Sequence, residues 1–402
     1  MTHEVVTIVG ASLAGIRAAE TLRSEGFEGE INLIGDEKHL PYDRPPLSKQ
    51  FLEGDLPVER LSLISEEKLY SLDLHLRLGE KATSLDVTKQ EIIVNGKSEH
   101  FNGLLIATGA RARTLPGSEK LKGVHVLRSL DDSLSIRKSL QEKKPRVTIV
   151  GAGFIGCEVA ATARSLGLEV TIVEALPEPL VRVLGSEMGR IIADIHIKNG
   201  VSLLCDLEVK ELLGDTEIEG VLLSDGSVID TELLVVGIGA IPNTEWLEDS
   251  GLVLDDGICC DATCLAAPNI VAAGDVARWD HKGFGKSVRI EHWDNAVDQA
   301  SHAAKRLLQN ETEAKPYLPT PWFWSDQYDC KIQLAGICDP DDDFKIVSGS
   351  SVDKKFAALY GSQGKLRAVL GMNRPRHVMK FRGLIEQGAS WVEALKFAEE
   401  MG

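Results

Sequence analysis

Arg146-Val-Thr-Ile-Val150 runs directly into Gly151-Ala-Gly153-Phe-Ile-Gly156, and this stretch decides the fold. A short β-branched run of this kind reads as a buried strand. The glycines after it make a strand-to-helix turn, with the helix expected over Glu158 to Leu166. Each glycine has its own reason. The first permits the tight turn, the second lets a phosphate approach the backbone, and the third lets the helix pack closely on the strand. The helix N-terminus attracts a pyrophosphate. The next strand, Glu169 to Val173, ends at Glu174, which lies 23 residues beyond Gly151. An acid there accepts hydrogen bonds from an adenosine ribose and repels a 2′-phosphate. Glu174-Ala-Leu-Pro177 supplies no immediate arginine, although Arg182 follows, so NADH is expected in preference to NADPH. The competing reading is a glycine turn with a structural role alone.

A second copy of this pattern lies near the start. Residues 4 to 9 read Glu-Val-Val-Thr-Ile-Val, and Gly10-Ala-Ser12-Leu13-Ala14-Gly15 follows. An alanine-rich helical pattern continues to about Arg23, and a strand from Ile31 to Ile34 ends in Gly35-Asp36-Glu37. Ser12 stands where the middle glycine is usual; it is small, and its hydroxyl can donate to a phosphate. An ordinary turn is again the competing reading. Two such motifs mean two nucleotides, or a duplication with one inactive half. A flavin and a nicotinamide are the simplest pair, because they are hydride acceptor and donor.

Composition bounds the remaining classes. With 402 residues the chain is long enough for two to three domains, at roughly 150 residues each. Hydrophobic residues are 43% and charged residues 26%, a globular balance. The net charge of −17 disfavours nucleic acid as a partner. Cys157, Cys205, Cys259, Cys260, Cys264, Cys330 and Cys338 form no CxxC pair and read as small apolar residues of a reduced compartment. Cys259, Cys260 and Cys264 cluster without a histidine at zinc-ligand spacing, so no metal is expected. No signal-peptide pattern is visible at the N-terminus. The longest apolar runs, such as Leu233 to Ile241, are well short of the roughly 20 residues of a membrane span. A cytoplasmic chain with no membrane contact is therefore expected.

Three further stretches carry a family resemblance. They are Pro41-Tyr-Asp-Arg44-Pro-Pro-Leu-Ser-Lys49, Leu104-Leu-Ile-Ala107-Thr108-Gly109-Ala110 and Ile270-Val-Ala-Ala-Gly274-Asp275. With the two glycine turns, they resemble the flavoproteins with two dinucleotide-binding domains, the group that includes glutathione reductase. Disulfide reductases of that group carry a redox cysteine pair after the first βαβ unit, whereas residues 36 to 80 here contain no cysteine. Electrons must therefore leave the flavin directly. Val236-Gly-Ile-Gly-Ala-Ile-Pro-Asn243 and Pro321-Trp322-Phe-Trp324-Ser-Asp-Gln-Tyr328 narrow the match. Together with the Pro41–Lys49 stretch, they are similar to the ferredoxin reductases of bacterial aromatic-ring dioxygenases and of the camphor P450 system. This similarity extends to about residue 385; Ser390 to Gly402 carries no usable signal.

The resemblance implies FAD at the first turn and NADH at the second. Its FAD positions are Gly10, Ser12, Leu13, Ala14 and Gly15, with Asp36 or Glu37 on the adenosine ribose. Arg44, Lys49, Ala82 (by its main chain, at the adenine), Ala107, Thr108, Gly109, Arg128, Gly274, Asp275, Trp293 and Trp324 complete them. Its NADH positions are Gly151, Gly153, Phe154, Ile155, Gly156, Glu158, Glu174, Arg182 and Gly239. Lys49 and Glu158 are expected as a catalytic pair, with the lysine stabilising the anionic reduced ring and the glutamate pairing with it. The bland alternative is two unrelated charges. Trp293, Trp322 and Trp324 are expected either to line the flavin or to fill interdomain core.

The implied reaction takes hydride from NADH and passes single electrons to a small [2Fe–2S] ferredoxin. Such ferredoxins are commonly acidic, so docking needs a local basic patch. Arg374, Arg376, Lys380 and Arg382 are one candidate cluster, with a solvated helix face as the alternative. Reduction of a small molecule such as a quinone, and an interaction protein that senses FAD and NADH, remain as other classes. The expected architecture is α/β: two Rossmann-like dinucleotide-binding domains and a small C-terminal α+β domain. The FAD domain is expected over 1–112 and 244–318, the NADH domain over 113–243, and the C-terminal interface domain over 319–402. Leu115-Pro116-Gly117 and Ile241-Pro242-Asn243 mark the crossovers.

Overall fold

The computed structural model describes residues 4–401 and separates into two compact units. The first comprises Met1–Asp43, Glu59–Arg111 and Ile241–Pro321. Its centre is a six-stranded sheet in the order Leu265–Ala267, Ile270–Ala272, Gly103–Ile106, Val5–Val9, Glu30–Gly35 and His75–Leu78. All neighbours are parallel except the first pair. Parallel strands are covered on both faces, so their sequences are almost continuously apolar rather than alternating. Val6, Ile8, Leu104, Leu105 and Ile106 are accordingly all buried. The helix Leu13–Ser24 and the helix Trp293–Leu308 belong to this unit, joined by a hydrogen bond from Thr21 Oγ1 to Ser301 Oγ at 3.2 Å. A separate core gathers Val9, Ile34, Leu85, Ile92, Phe101 and Ile258, drawing in the antiparallel strands Ala82–Asp86 and Glu91–Val94.

The second unit comprises Arg44–Val58, Ala112–Ala240 and Trp322–Gly402. One of its sheets is wholly parallel, ordered Ser202–Leu204, Val170–Val173, Val147–Val150, Leu233–Val236 and Val124–Val126. Another is antiparallel, ordered Trp322–Gln327, Cys330–Gly336, Lys365–Met372, Lys355–Ser362 and Asp343–Ser350. The helices Pro375–Glu386 and Trp391–Met401 close a core with it through Leu359, Val369, Val378, Phe381, Ala394 and Ala398. The class is α/β with parallel sheets and a small C-terminal antiparallel sheet capped by helices.

Three local features differ from the sequence expectation. The second-turn helix runs Phe154–Ser165, four residues earlier than expected, because Gly153 is its N-cap. Glu158 is thus an interior helical residue. Residues 44–58, expected with the first segment, group with the second unit. Ser133 Oγ donates to the Leu47 carbonyl at 2.7 Å, and Thr162 Oγ1 donates to the Ser48 carbonyl at 2.8 Å. The tail, which gave no signal, is a helix begun by a reciprocal cap: the Ser390 amide donates to Glu393 Oε2 at 2.8 Å, and the Glu393 amide to Ser390 Oγ at 3.2 Å. Trp391 lies so close to Gly361 that any side chain at that glycine would overlap the indole.

Candidate active site

At the first turn Gly10 has φ +118°, and a Cβ there would overlap the Ala107 carbonyl. A Cβ at Gly15 would overlap the Gly10 carbonyl. Both glycines are therefore demanded by the protein's own packing. Ser12 is the N-cap of Leu13–Ser24, yet its side chain makes no capping hydrogen bond, and the first turn, which holds Ala14, carries no acid. Asp36 is exposed just past the strand Glu30–Gly35, while half-buried Glu37 accepts a hydrogen bond from Tyr42 Oη.

The second turn repeats the arrangement. Gly151 has φ +96°, with Gly237 against it, and a Cβ at Gly156 would overlap the Gly151 carbonyl. Gly153 is different. A Cβ there would meet nothing nearer than the Gly237 carbonyl oxygen at 3.9 Å. Internal packing does not require that glycine; bare backbone at this point lets a pyrophosphate approach. Neither helix has a side-chain cap or an acidic first turn, so the first N–H groups and the positive helix end are left for an external anion. The two turns fit two dinucleotides.

Glu174 closes the second turn. Its Oε2 accepts from the Ala152 amide at 2.6 Å and its Oε1 from the Leu176 amide at 2.9 Å. Arg182 is exposed in the first turn of the helix Val181–Lys198, and Ile155 is 45% exposed. Gly239 has φ +104° and its carbonyl accepts from the Arg113 amide at 2.9 Å. Phe154 meets Phe323 edge-on, with ring centroids 4.7 Å apart.

The helix Phe154–Ser165 organises the charged centre. Residues 154, 158 and 162 lie one turn apart on one face. Phe154 meets Phe323, Glu158 accepts three side-chain hydrogen bonds, and Thr162 holds the Ser48 carbonyl. Glu158 is 3% exposed. Its Oε2 accepts from Ser48 Oγ at 2.5 Å and from Lys49 Nζ at 2.7 Å, and its Oε1 accepts from Ser325 Oγ at 2.7 Å. Lys49 Nζ also donates to the Pro45 carbonyl at 3.1 Å. The expected pair of Lys49 and Glu158 is thus brought together. Nearby Cys157 is fully buried, which pushes its thiol well above the usual range, and burial pushes Cys205 up to about 11. Neither is a thiolate at neutral pH, so neither offers a nucleophilic sulfur there.

The other expected positions are placed as follows. Thr108 Oγ1 donates to the Asn243 carbonyl at 2.9 Å, while Asn243 Nδ2 donates back to the Thr108 carbonyl at 2.8 Å and its amide to the Gly109 carbonyl. The Gly274 amide donates to the buried Gln299 Oε1 at 3.0 Å, and the Asp275 carbonyl accepts from Arg289 at 3.1 Å. Trp293 opens its helix and donates Nε1–H to Asp43 Oδ1 at 2.8 Å. The preceding His292 is held neutral: burial lowers it to about 4, against the pull of Asp275. Ala82 is buried in the strand Ala82–Asp86. Arg44 donates to the Arg128 carbonyl at 2.7 Å. Trp324 stacks on Trp322 at 5.3 Å between centroids.

Strand alternation explains what sequence reasoning missed. In Trp322–Gln327, Phe323, Ser325 and Gln327 are buried on one face, and the two tryptophans lie on the other. Ser325 and Gln327 lie within the stretch Pro321–Tyr328, and their shared parity with Phe323 is the available signal. Ser48 adjoined a named lysine. His196, which bonds Gln327, had no local signal at all.

Two glycine turns, each opening a helix without a side-chain cap or an acid in its first turn, and an ion pair buried beside one of them, define a flavin- and nicotinamide-dependent oxidoreductase. The chain belongs to the pyridine nucleotide-disulphide oxidoreductase family, whose model matches residues 4–300, and a reductase C-terminal model matches residues 322–400. It is 38% identical to rhodocoxin reductase of Rhodococcus erythropolis, over 94% of this chain and 89% of that protein. It is 37% identical to the ferredoxin–NAD(+) reductase subunit of a benzene 1,2-dioxygenase system from Pseudomonas putida, over 95% of this chain and 92% of the relative. The covalent complex of putidaredoxin reductase with putidaredoxin contains a chain that superposes with a TM-score of 0.90, at 32% identity, over 96% of this chain and 94% of that one.

Proposed function

We infer that this chain is an FAD-dependent NADH:ferredoxin oxidoreductase that serves an oxygenase system through a [2Fe–2S] ferredoxin. The observation that carries the reading is a pair of dinucleotide turns in a chain with no cysteine among residues 36 to 80, so electrons have no internal dithiol to enter. Relatives named as ferredoxin reductases support it. FAD, when bound, supplies the conversion of a two-electron hydride into single electrons. The chain's own residues bind and orient. The N-termini of Leu13–Ser24 and Phe154–Ser165 hold pyrophosphates, and Glu174 holds the turn and disfavours a 2′-phosphate. In this reading Lys49 supplies the positive charge that favours a reduced, anionic ring, and its buried ion pair with Glu158 supports that role.

For the ferredoxin we propose the outer face of Pro375–Glu386. Val378 and Phe381 face the core, whereas Arg376, Met379 and Lys380 are exposed. Arg382 is partly committed to Glu386 at 3.2 Å. A cationic rim around one exposed methionine suits an acidic partner on a chain that is itself acidic. A cytoplasmic setting is proposed with it, supported by cysteines that are all free among the described residues; no described helix is long and apolar enough to cross a membrane. Steady-state reduction of a [2Fe–2S] ferredoxin by NADH tests the function: turnover with NADH that is faster than with NADPH is expected, and turnover with quinone alone would replace the reading.

A further inference from the structure

A line of buried polar groups runs away from Glu158 on the side opposite Lys49, and the function above does not use it. Ser325 Oγ lies 2.7 Å from Glu158 Oε1, and Gln327 Nε2 lies 3.2 Å from Ser325 Oγ. Gln327 Oε1 is 3.1 Å from His196 Nε2, and His196 Nδ1 is 3.1 Å from Tyr328 Oη. Ser325, Gln327 and His196 are all fully buried, so no solvent completes their bonding.

The direction of every link is forced from one end. A carboxylate accepts only, so Ser325 donates its proton to Glu158. The Ser325 oxygen is then free to accept from the Gln327 amide N–H. The Gln327 carbonyl must therefore receive its hydrogen bond from His196, which fixes the imidazole as the Nε2–H tautomer. Nδ1 is left as an acceptor, and Tyr328 donates to it. Burial lowers His196 to about 4, so the ring is neutral and can play both parts at neutral pH. Four donors thus point the same way, and aligned hydrogen bonds polarise one another. Gln327 interrupts any path for proton hopping, so the line orients charge rather than carrying protons.

We propose that His196, Gln327 and Ser325 are positioning residues for Glu158: their one-way donor chain fixes the carboxylate, and through it the Lys49 ammonium. Three elements far apart in sequence meet in this role: the helix Val181–Lys198, the strand Trp322–Gln327 and the helix Phe154–Ser165. The consequence for turnover rests on the flavin reading above; the hydrogen-bond direction does not.

Two measurements test it. In protein labelled with ¹⁵N-histidine, His196 should give the Nε2–H pattern at neutral pH, with or without cofactor, and Gln327→Met should abolish that preference. A His196 that is Nδ1–H or protonated in the wild type overturns the proposal. In single-turnover reduction of the holoenzyme by NADH, Ser325→Ala and Gln327→Met should each slow the step about tenfold, roughly one charge-assisted hydrogen bond, with little change in the apparent NADH affinity. The double variant should be no slower than either alone, and Ser325→Thr should restore the rate. Effects that multiply, or a loss of thermal stability with an unchanged rate, overturn it. Neither measurement contains ferredoxin, so a wild type that takes hydride but fails to reduce ferredoxin removes the proposed function and leaves this inference intact. A wild type that takes no hydride is decided by the tautomer alone.

Discussion

Lys49 Nζ stands 2.7 Å from Glu158 Oε2, with side-chain exposures of 11% and 3%. Surface pairs contribute little, but a pair this buried responds sharply when one member is removed. Lys49→Met should shift the flavin potential to more negative values and slow reduction by NADH about tenfold or more. It should also destabilise the fold by about 3 kcal/mol, because Glu158 stays buried without its cation. Redox titration and stopped-flow absorbance check the first two, and denaturant unfolding checks the third. Unchanged potential and rate would remove Lys49 from the chemistry.

The glycines of the second turn separate binding from folding. Gly153→Ala has room within the protein and should leave the melting temperature nearly unchanged, while raising the NADH KM about tenfold, since a methyl group intrudes where phosphate approaches. Gly156→Ala overlaps a backbone carbonyl and should cost about 2 kcal/mol or more in stability. Equal melting temperatures for the two variants would contradict this division.

The proposed docking face makes a charge prediction. Arg376→Glu with Lys380→Glu should raise the ferredoxin KM at least about tenfold at low salt and by less at high salt. NADH-driven reduction of a small inorganic acceptor should not change. Comparing the two acceptors over a salt series reads this directly.

His196 and His292 are both neutral in the folded chain, lowered by burial from 6.5 to about 4. The unfolded chain binds their protons first. Stability should therefore fall as pH drops from about 6.5 to about 4 and level off, for these groups, below that. Each contributes up to about 3 kcal/mol to that loss. His196→Phe should flatten the curve by roughly one histidine's share, measured by urea unfolding between pH 7 and pH 4.

Both glycine turns were legible because their signals are local: a β-branched run, glycines at fixed spacing, and an acid about twenty residues on. The strand expected at Ile31 to Ile34 runs Glu30–Gly35, and the one expected at Glu169 to Val173 runs Val170–Val173. The start of Phe154–Ser165 ahead of the expected Glu158 is not legible, because a glycine N-cap carries no side chain to announce it. The Ser390–Glu393 cap has serine and glutamate at capping-box spacing, but so short a pattern does not by itself announce a helix. The surroundings of Glu158 were hidden for a different reason. Ser48, Lys49, His196 and Ser325 come from segments separated by more than a hundred residues from one another in most pairings, and only tertiary packing brings them together.

The most direct test of an NADH:ferredoxin reductase is initial-rate electron transfer from NADH, and separately NADPH, to a [2Fe–2S] ferredoxin and to a quinone. Faster, salt-sensitive ferredoxin reduction with NADH is the predicted result. Rapid quinone turnover with no ferredoxin reduction would contradict it and leave the basic face of Pro375–Glu386 without a partner.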